Sequence, residues 1–456
     1  SYFSALFRKK TGKSPQQYLT DYRMERACQL MTEHGYSPGE AALSTGYPDI
    51  FSFSRMFKRH YGIDVELARV CSRNPEQAIA HGVEDLFTQD YCDILNDPNI
   101  DIVIELIGGT TVARDVVLGA LRAGKNVGTA NKALMATHGE EVMHAAEEAG
   151  REIAFEASVG GGIPIIDPMK HSLIANEVSS VMGIVNGTTN YMLTRMVEDG
   201  LSYDDALREA QEKGFAEADP SADVDGFDAA AKIAILASIA FNSRVTIGDV
   251  HTEGIRSVTT MDLDTARDMG YCVKLLALAH RTPQGIDVRV HPTMLPLSHQ
   301  LATVNGVYNA IYVTGDAVGE TMFFGEGAGA GPAASAVMGD VLEVARHVQQ
   351  GIGPIVGCTC TDDLPIVPMD ELKTKYYIRF KVADRSGVLA AMAGVFAKHN
   401  VSVYSVVQRG KKDGGSVDLV YVTHTAREKS VRDVLAEIAE LDDVLRDEPS
   451  VIRVED

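Results

Sequence analysis

Residues 214–236, GFAEADPSADVDGFDAAAKIAIL, place Glu217, Asp219, Asp223, Asp225 and Asp228 ahead of a single lysine, Lys232. Asp228 and Lys232 stand four apart, which puts both on one face of a helix. Ile233, Ile235, Leu236 and Ile239 follow at once, so the lysine opens a helix that soon becomes core and its ammonium sits at a core boundary rather than in open water. A lysine kept in place there by a carboxylate can act as general acid and base on an alcohol or carbonyl oxygen. An Asp/Lys pair at this spacing is ordinarily an exposed ion pair. The density of carboxylates before one lysine is what points to a site.

Other segments supply the frame such a site needs. Residues 65–73, VELARVCSR, read as a strand ending at Arg73, and 100–109, IDIVIELIGG, as an apolar strand running into Gly108 and Gly109, where a ligand can approach the backbone. Residues 113–125 form an amphipathic helix and 126–135, NVGTANKALM, the next strand end. Strands alternating with helices imply right-handed crossovers and a parallel sheet. In 155–166, FEASVGGGIPII, three consecutive glycines expose backbone carbonyls beside Glu156. A glycine run of this kind is ordinarily a tight turn, yet its oxygens suit a hard cation. Asn186 and Gly187 join a strand to a helix that Thr188, Thr189 or Asn190 can cap.

The formal net charge of −21 is unevenly spread. Residues 1–63 carry nine Lys/Arg against five Asp/Glu, a balance of +4, which leaves −25 for the rest. An acidic body repels polyphosphate, so any DNA contact must be local to the basic end. That end reads as helices: one to Gly12, one from the Ser14 cap and Pro15 to Gly35, then helix, turn at Gly46, helix. No apolar run reaches the roughly 18 residues of a membrane span and no signal-peptide pattern opens the sequence, so a cytoplasmic location is expected. Six scattered cysteines, with only Cys358 and Cys360 close together, suggest reduced thiols without a metal-ligand spacing.

Segments 101–109, 129–141, 155–166, 183–196, 214–236 and 318–337 occur in the order found in homoserine dehydrogenases, and residues 65–350 resemble that family almost throughout. The resemblance implies interconversion of L-homoserine and aspartate semialdehyde with a nicotinamide cofactor, on the route to threonine, methionine and isoleucine. It assigns Lys232 as proton donor and acceptor and Glu217 and Asp228 to the substrate, whose cationic amino group needs carboxylate partners. Lys132 would lie beside nicotinamide and substrate, with Gly108, Gly214 and Gly329 against the cofactor. Arg73 stands where an acidic residue would accept a ribose hydroxyl, which favours NADP over NAD. Glu156, Val159, Gly161 and Ile163 match positions that bind a sodium-like ion, and a homo-oligomer is expected.

Residues 1–63 resemble the second helix-turn-helix of AraC-type regulators, with Ser52 and Arg55 as base-edge candidates and Lys58 and Arg59 as phosphate contacts. AraC-type units carry two such motifs, so half of the usual DNA grip is expected. An amino-acid-responsive regulator with an inactive enzyme-like body is the alternative this implies. Residues 351–372, with Gly351, Gly353, Pro354, Pro365 and Pro368, read as a linker. Beyond it, strand–helix–strand–strand–helix–strand is a ferredoxin-like order resembling an ACT domain, with Asp384, Gly387 and Val388 in the effector turn and threonine as the implied effector.

The expected architecture is multidomain α/β. It comprises a partial all-α helix-turn-helix (1–64), an incomplete Rossmann-like nucleotide domain (65–150 and 311–350), a mixed-sheet catalytic domain (151–310), the linker (351–372) and the ACT domain (373–456). The nucleotide domain is termed incomplete because no Gly-x-Gly-x-x-Gly pattern occurs in residues 1–64. A first strand, that turn and a helix normally cradle the pyrophosphate, so cofactor binding is expected to be weakened or abolished. A natural two-function fusion would keep both partners whole, and this junction looks more like a rearrangement or an artificial join.

Overall fold

Short apolar runs bounded by glycine turns give the strands of this protein, and the amphipathic stretches between them give helices that cover those strands. The computed structural model describes residues 7, 10–34, 44–45, 65–409 and 415–455. Ser52, Arg55, Lys58, Arg59 and the turn at Gly46 lie outside the described residues. The chain divides into two compact units, 1–134 with 138–162 and 328–357, and 135–137 with 163–327 and 358–456. No helix among the described residues is long and apolar enough to cross a membrane.

The first unit begins with α1 (Pro15–His34), which buries Met24 and Ala27. Strands β1 (Val70–Cys71) and β2 (Phe87–Thr88) form a parallel pair. The strand read over 65–73 is thus only two residues long. A separate parallel sheet contains β3 (Ile102–Glu105), β4 (Asn126–Thr129) and β5 (Ile153–Ala154), with β3 at its edge. Helix α2 (Val112–Arg122) crosses between β3 and β4 and buries Ala113, Val116, Val117, Ala120 and Leu121. Each such buried valine or leucine contributes roughly 1.5–3 kcal/mol. Helix α3 (Lys132–Ala149) connects β4 to β5 and ends at Gly150 in the left-handed conformation.

The second unit is built on one antiparallel-rich sheet. Its first strand β6 (Val178–Ile184) leads into α4 (Gly187–Glu198), α5 (Tyr203–Glu212) and α6 (Phe227–Phe241). Helix α6 is apolar almost all round, which is the pattern of a buried helix, and it packs on β6 and on the two long strands that follow. After β7 (His251–Thr252) and α7 (Thr260–Asp268), β8 (Tyr271–Thr282) and β9 (Gly285–Pro296) form a hairpin, and β10 (Tyr308–Gly315) and β11 (Gly319–Glu326) form another. The chain then returns to the first unit as α8 (Ala330–Gln350), which packs across β3, β4 and β5 and touches α1.

The C-terminal portion contains β12 (Lys373–Ala383), α9 (Val388–Lys398), β13 (Val403–Arg409), β14 (Ser416–Thr423), β15 (Ala426–Arg427), α10 (Glu428–Ala439) and β16 (Ser450–Val454). Its ferredoxin-like sheet is continuous with that of the catalytic portion. Strands run in the order β11-β10-β6-β8-β9-β16-β12-β14-β13, and β16 pairs parallel to β9 at Arg453–Thr293 and Val454–Met294. Residues 358–372, read as linker, run along the same unit: Asp362 N donates to the Asn242 carbonyl (2.8 Å) and Ile286 N to that of Pro365 (2.8 Å). Those backbone bonds give the segment a fixed course that its glycine and proline content alone does not convey.

A buried ionic cluster fastens the C-terminal strands to α7. Asp262, at 0% exposure, accepts hydrogen bonds from Arg379 Nε (2.7 Å) and Nη2 (3.1 Å), Tyr377 (2.9 Å) and Ser450 (3.2 Å). Burial pushes its carboxyl up, but the hydrogen bonds and charge of Arg379, together with Thr259, hold it below the ordinary value. A depressed carboxyl stabilises the fold above its unfolded value of about 4, and this contribution is lost as pH falls through the folded value. The urea midpoint should therefore fall as pH drops below about 4. Arg379→Met, which leaves the aspartate buried and unpaired, should cost about 3–5 kcal/mol at neutral pH, measured by urea unfolding.

Candidate active site

Helix α6 starts at Gly226, whose φ of 87° marks a turn, and presents Asp228 in its first turn and Lys232 one turn later. The pair is buried, with Asp228 7% and Lys232 8% exposed, so it is not the exposed ion pair that the spacing alone suggests. Lys232 Nζ donates to Asp228 Oδ2 (2.7 Å) and to the carbonyl of Val185 (2.6 Å). An ammonium has three N–H donors. The third has no protein partner among the described residues and is available to a ligand oxygen.

Asn186 organises the carboxylates. Its Nδ2 donates to Asp223 Oδ1 (2.7 Å) and Asp228 Oδ2 (2.9 Å), while its Oδ1 accepts from Thr189 N (2.9 Å) as the N-cap of α4. One side chain thus caps a helix and draws two acids together. Thr188 Oγ1 ties the same helix start to the Phe215 carbonyl (2.6 Å), next to the loop carrying Gly214 and Glu217. Gly214 has φ 75° and Glu217 is exposed, with its carbonyl accepting from Gln211 (3.0 Å). Glu217 is therefore near the acidic run in sequence but is not bonded to the Asp228–Lys232 pair. Asn190 clamps the 304–308 loop by donating to the carbonyls of Val304, Gly306 and Tyr308 (3.2, 3.0 and 3.1 Å). Buried Lys274 donates to Asn190 Oδ1 (3.0 Å) and to the Val304 carbonyl (2.6 Å), and burial lowers its pKa to about 8.

In the first unit the C-terminal ends of β3 and β4 build a second constellation, at the edge where open α/β sheets bind ligands. Glu105, 1% exposed, accepts from the backbone N–H of Ile107 (2.6 Å) and Gly108 (3.1 Å) and from the Thr129 hydroxyl (2.7 Å). Gly108 and Gly109 lie at φ 78° and 70°, conformations that glycine adopts without a Cβ clash. Asn131 donates to the Gly109 carbonyl (2.8 Å) and caps α3 through Leu134 N (3.0 Å). Lys132 is thereby the first residue of a helix rather than part of a loop. Arg73 is exposed just beyond β1. Gly329, at φ 120°, is the N-cap of α8. Glu156 is buried in a short turn, and its N–H donates to Asp340 Oδ2 of α8 (3.0 Å). Val159 is fully buried and Gly161 has φ 57°, whereas Ile163 belongs to the second unit.

In the C-terminal portion Gly387, at φ 94°, is the N-cap of α9. Val388 is buried behind it, and exposed Asp384 donates its N–H to the Gly415 carbonyl (3.1 Å).

Residues 164–342 match the model of the family described as homoserine dehydrogenase, and residues 52–156 match its NAD binding domain. A homoserine dehydrogenase of Synechocystis sp. is 46% identical over 379 residues, spanning 81% of this chain and 87% of that protein. The chain belongs to the homoserine dehydrogenase family. The Corynebacterium glutamicum homoserine dehydrogenase is 44% identical over 386 residues, covering 84% of this chain and 85% of the relative. The crystal structure of the homoserine dehydrogenase from Thiobacillus denitrificans superposes with a TM-score of 0.82 at 41% identity, covering 87% of this chain and 92% of that one. A hyperthermophilic archaeal homoserine dehydrogenase in complex with NADPH gives 0.52 at 27% identity, covering 59% of this chain and 81% of the other. Residues 376–443 match the ACT domain and residues 1–66 a helix-turn-helix domain. Like its relatives, the protein is an oxidoreductase of the nicotinamide-dependent kind.

Sequence reasoning passed over Asn186 and Glu105 as organising groups and treated Asp223 only as one acid among several. The signals were present in VNGTTN, in ELIGG and in the acidic run. Their partners lie 37 and 42 residues away for Asn186 and 24 for the Glu105–Thr129 bond, beyond the reach of a local pattern.

Proposed function

We propose that this protein interconverts L-homoserine and L-aspartate 4-semialdehyde with NADP, using Lys232 as general acid and base. The observation that carries the reading is the buried Lys232 ammonium, fixed by Asp228 and the Val185 carbonyl with one donor left over. As the neutral amine Lys232 takes the proton from the substrate hydroxyl during oxidation, and as the ammonium it returns the proton to the oxygen during reduction. NADP, when bound, would supply the hydride acceptor for oxidation and the donor for reduction. Glu217 and Asp228 hold the substrate ammonium, and Asp223, tied to the same Asn186 amide, adds a third carboxylate. Lys132, at the start of α3, is assigned to nicotinamide and substrate by the family resemblance.

For the cofactor, the positive-φ pair Gly108–Gly109 beyond β3 and the N-terminus of α8 at Gly329 fit a ligand approaching the backbone closely. The family resemblance also assigns Gly214 to the cofactor. Arg73 suits a 2′-phosphate and so supports NADP over NAD. Glu156 with the carbonyls of Val159 and Gly161 offers oxygens suited to a monovalent cation, and the resemblance adds Ile163 to that set. Asp384, Gly387 and Val388 form an amino-acid effector turn with threonine as the ligand. Met322 and Phe324, exposed on edge strand β11, support a homo-oligomer. A DNA-binding role for residues 1–66 is carried by the helix-turn-helix match alone.

The decisive assay is homoserine-dependent reduction of NADP by the purified chain, followed spectroscopically. No turnover at saturating cofactor, together with no homoserine binding, would overturn the reading. Asn186→Ala should raise the KM for homoserine by about tenfold, because both acids lose a hydrogen bond. The same change should cost about 1 kcal/mol of stability through the lost cap, seen in thermal unfolding; an unchanged KM would detach Asn186 from the site.

A further inference from the structure

The last strand of the chain lies beside the segment that supports the start of α6. Arg453 in β16 has a side chain only 4% exposed, and its Nη1 and Nη2 donate to both carboxylate oxygens of Glu253 (2.7 and 2.8 Å). Its Nε and Nη2 also donate to Glu428 (2.9 and 2.7 Å). Glu253 accepts from His251 as well (2.7 Å), and its N–H donates to the Val290 carbonyl (2.8 Å). Both the backbone and the side chain of Glu253 are therefore held.

The next residues press on the turn before α6. A Cβ on Gly254 would lie 2.0 Å from the Val224 carbonyl oxygen and 2.5 Å from Asp225 Cα, so the two backbones are in direct contact. Ile255 N donates to that same Val224 carbonyl (2.9 Å). On the other side, a Cβ on Gly226 would meet Thr252 Cγ2 at 3.0 Å and the Glu253 carbonyl oxygen at 3.3 Å. Residues 252–255 thus form a bed for 223–226, the turn that contains Asp223 and sets the position of Asp228.

We propose that Arg453 is a positioning residue for the Asp228–Lys232 pair, acting through Glu253 to hold residues 252–255 against the turn 223–226. The proposal rests on the reading of Lys232 and Asp228 given above. Burial raises the Glu253 carboxyl, yet His251 and Arg453 hold it well below the usual range, so the clip persists as an ion pair at neutral pH. Arginine suits the position because its planar fork serves two carboxylates at once, which a lysine ammonium cannot do with the same geometry.

The test uses the full chain and two variants, Glu253→Gln and Arg453→Lys, with Lys398→Ala as a control for an exposed ion pair of the same portion. Hydrogen–deuterium exchange over 223–230 and calorimetric titration with homoserine are measured together. Glu253→Gln should raise exchange in 223–230 and weaken homoserine binding, each by about tenfold. Arg453→Lys should change both in the same direction by a smaller factor, and Lys398→Ala should change neither. Faster exchange confined to 251–255 and 450–455, with 223–230 and homoserine affinity as in wild type, would overturn the proposal. If Glu253→Gln does not fold, Arg453→Lys alone decides by the same two readouts. A wild-type chain that fails to bind homoserine refutes the functional reading instead, while the exchange arm still reports on the clip.

Discussion

Lys232→Ala should lower the rate of homoserine oxidation by about a thousandfold at saturating NADP and homoserine, with NADP affinity unchanged. Positioned proton transfer contributes roughly 10²–10⁴-fold, and Lys232 is held for it by the Val185 carbonyl and Asp228. The loss should appear in kcat, because the donor aimed at the substrate oxygen is used as charge develops there. Lys232→Arg should not restore the rate, since a guanidinium remains protonated and has a different shape. Asp228 keeps its Asn186 hydrogen bond in both variants, which limits the structural damage. Single-turnover measurement of NADP reduction, with circular dichroism to verify folding, separates the outcomes. A variant that retains a tenth or more of the wild-type rate would remove Lys232 from the proton path.

How much of this was legible in the sequence depends on how far apart the partners lie. The Asp228–Lys232 pair is a local helical relation, and the apolar run after it marked the burial that the structure shows. The glycine pair after β3 was visible for the same reason, as an apolar strand ending in two flexible residues. The parallel βαβ order of β3, α2, β4, α3 and β5 followed from alternating periodicities. Asn186 was read as a strand-to-helix junction, with the cap left to Thr188, Thr189 or Asn190; Asn186 is itself the cap, and its second use as a bridge between Asp223 and Asp228 depends on a tertiary contact. The continuity of the C-terminal strands with the catalytic sheet was likewise hidden. It rests on the pairing of β16 with β9, elements more than 150 residues apart, and no turn or periodicity encodes such a contact. The linker reading shows the complementary failure: Gly and Pro content describes local stiffness, whereas the course of residues 358–372 is set by bonds to Asn242, Ser243 and Ile286.

Restoring a strand–Gly-x-Gly-x-x-Gly–helix segment ahead of residue 65, in place of residues 1–64, should tighten NADP binding by about a thousandfold. Two backbone N–H groups hydrogen-bonded to a charged pyrophosphate contribute about 1.5–3 kcal/mol each, and a helix N-terminus adds roughly 0.3–1 kcal/mol. Their sum corresponds to about two to five orders of magnitude in Kd, before the ordering cost of the ligand is set against it. Residues 1–64 contain no such glycine pattern. The strand framework is consistent with this, because among the described residues β3 is the edge of its sheet and β1 pairs with β2 in a separate one. A first strand seated between β1 and β3 would join the two sheets through backbone hydrogen bonds on both sides. The restored chain should therefore also unfold at higher denaturant concentration. Calorimetric titration of both chains with NADP decides the matter: equal affinities would mean that the pyrophosphate is held elsewhere, with the N-terminus of α8 at Gly329 the first place to mutate.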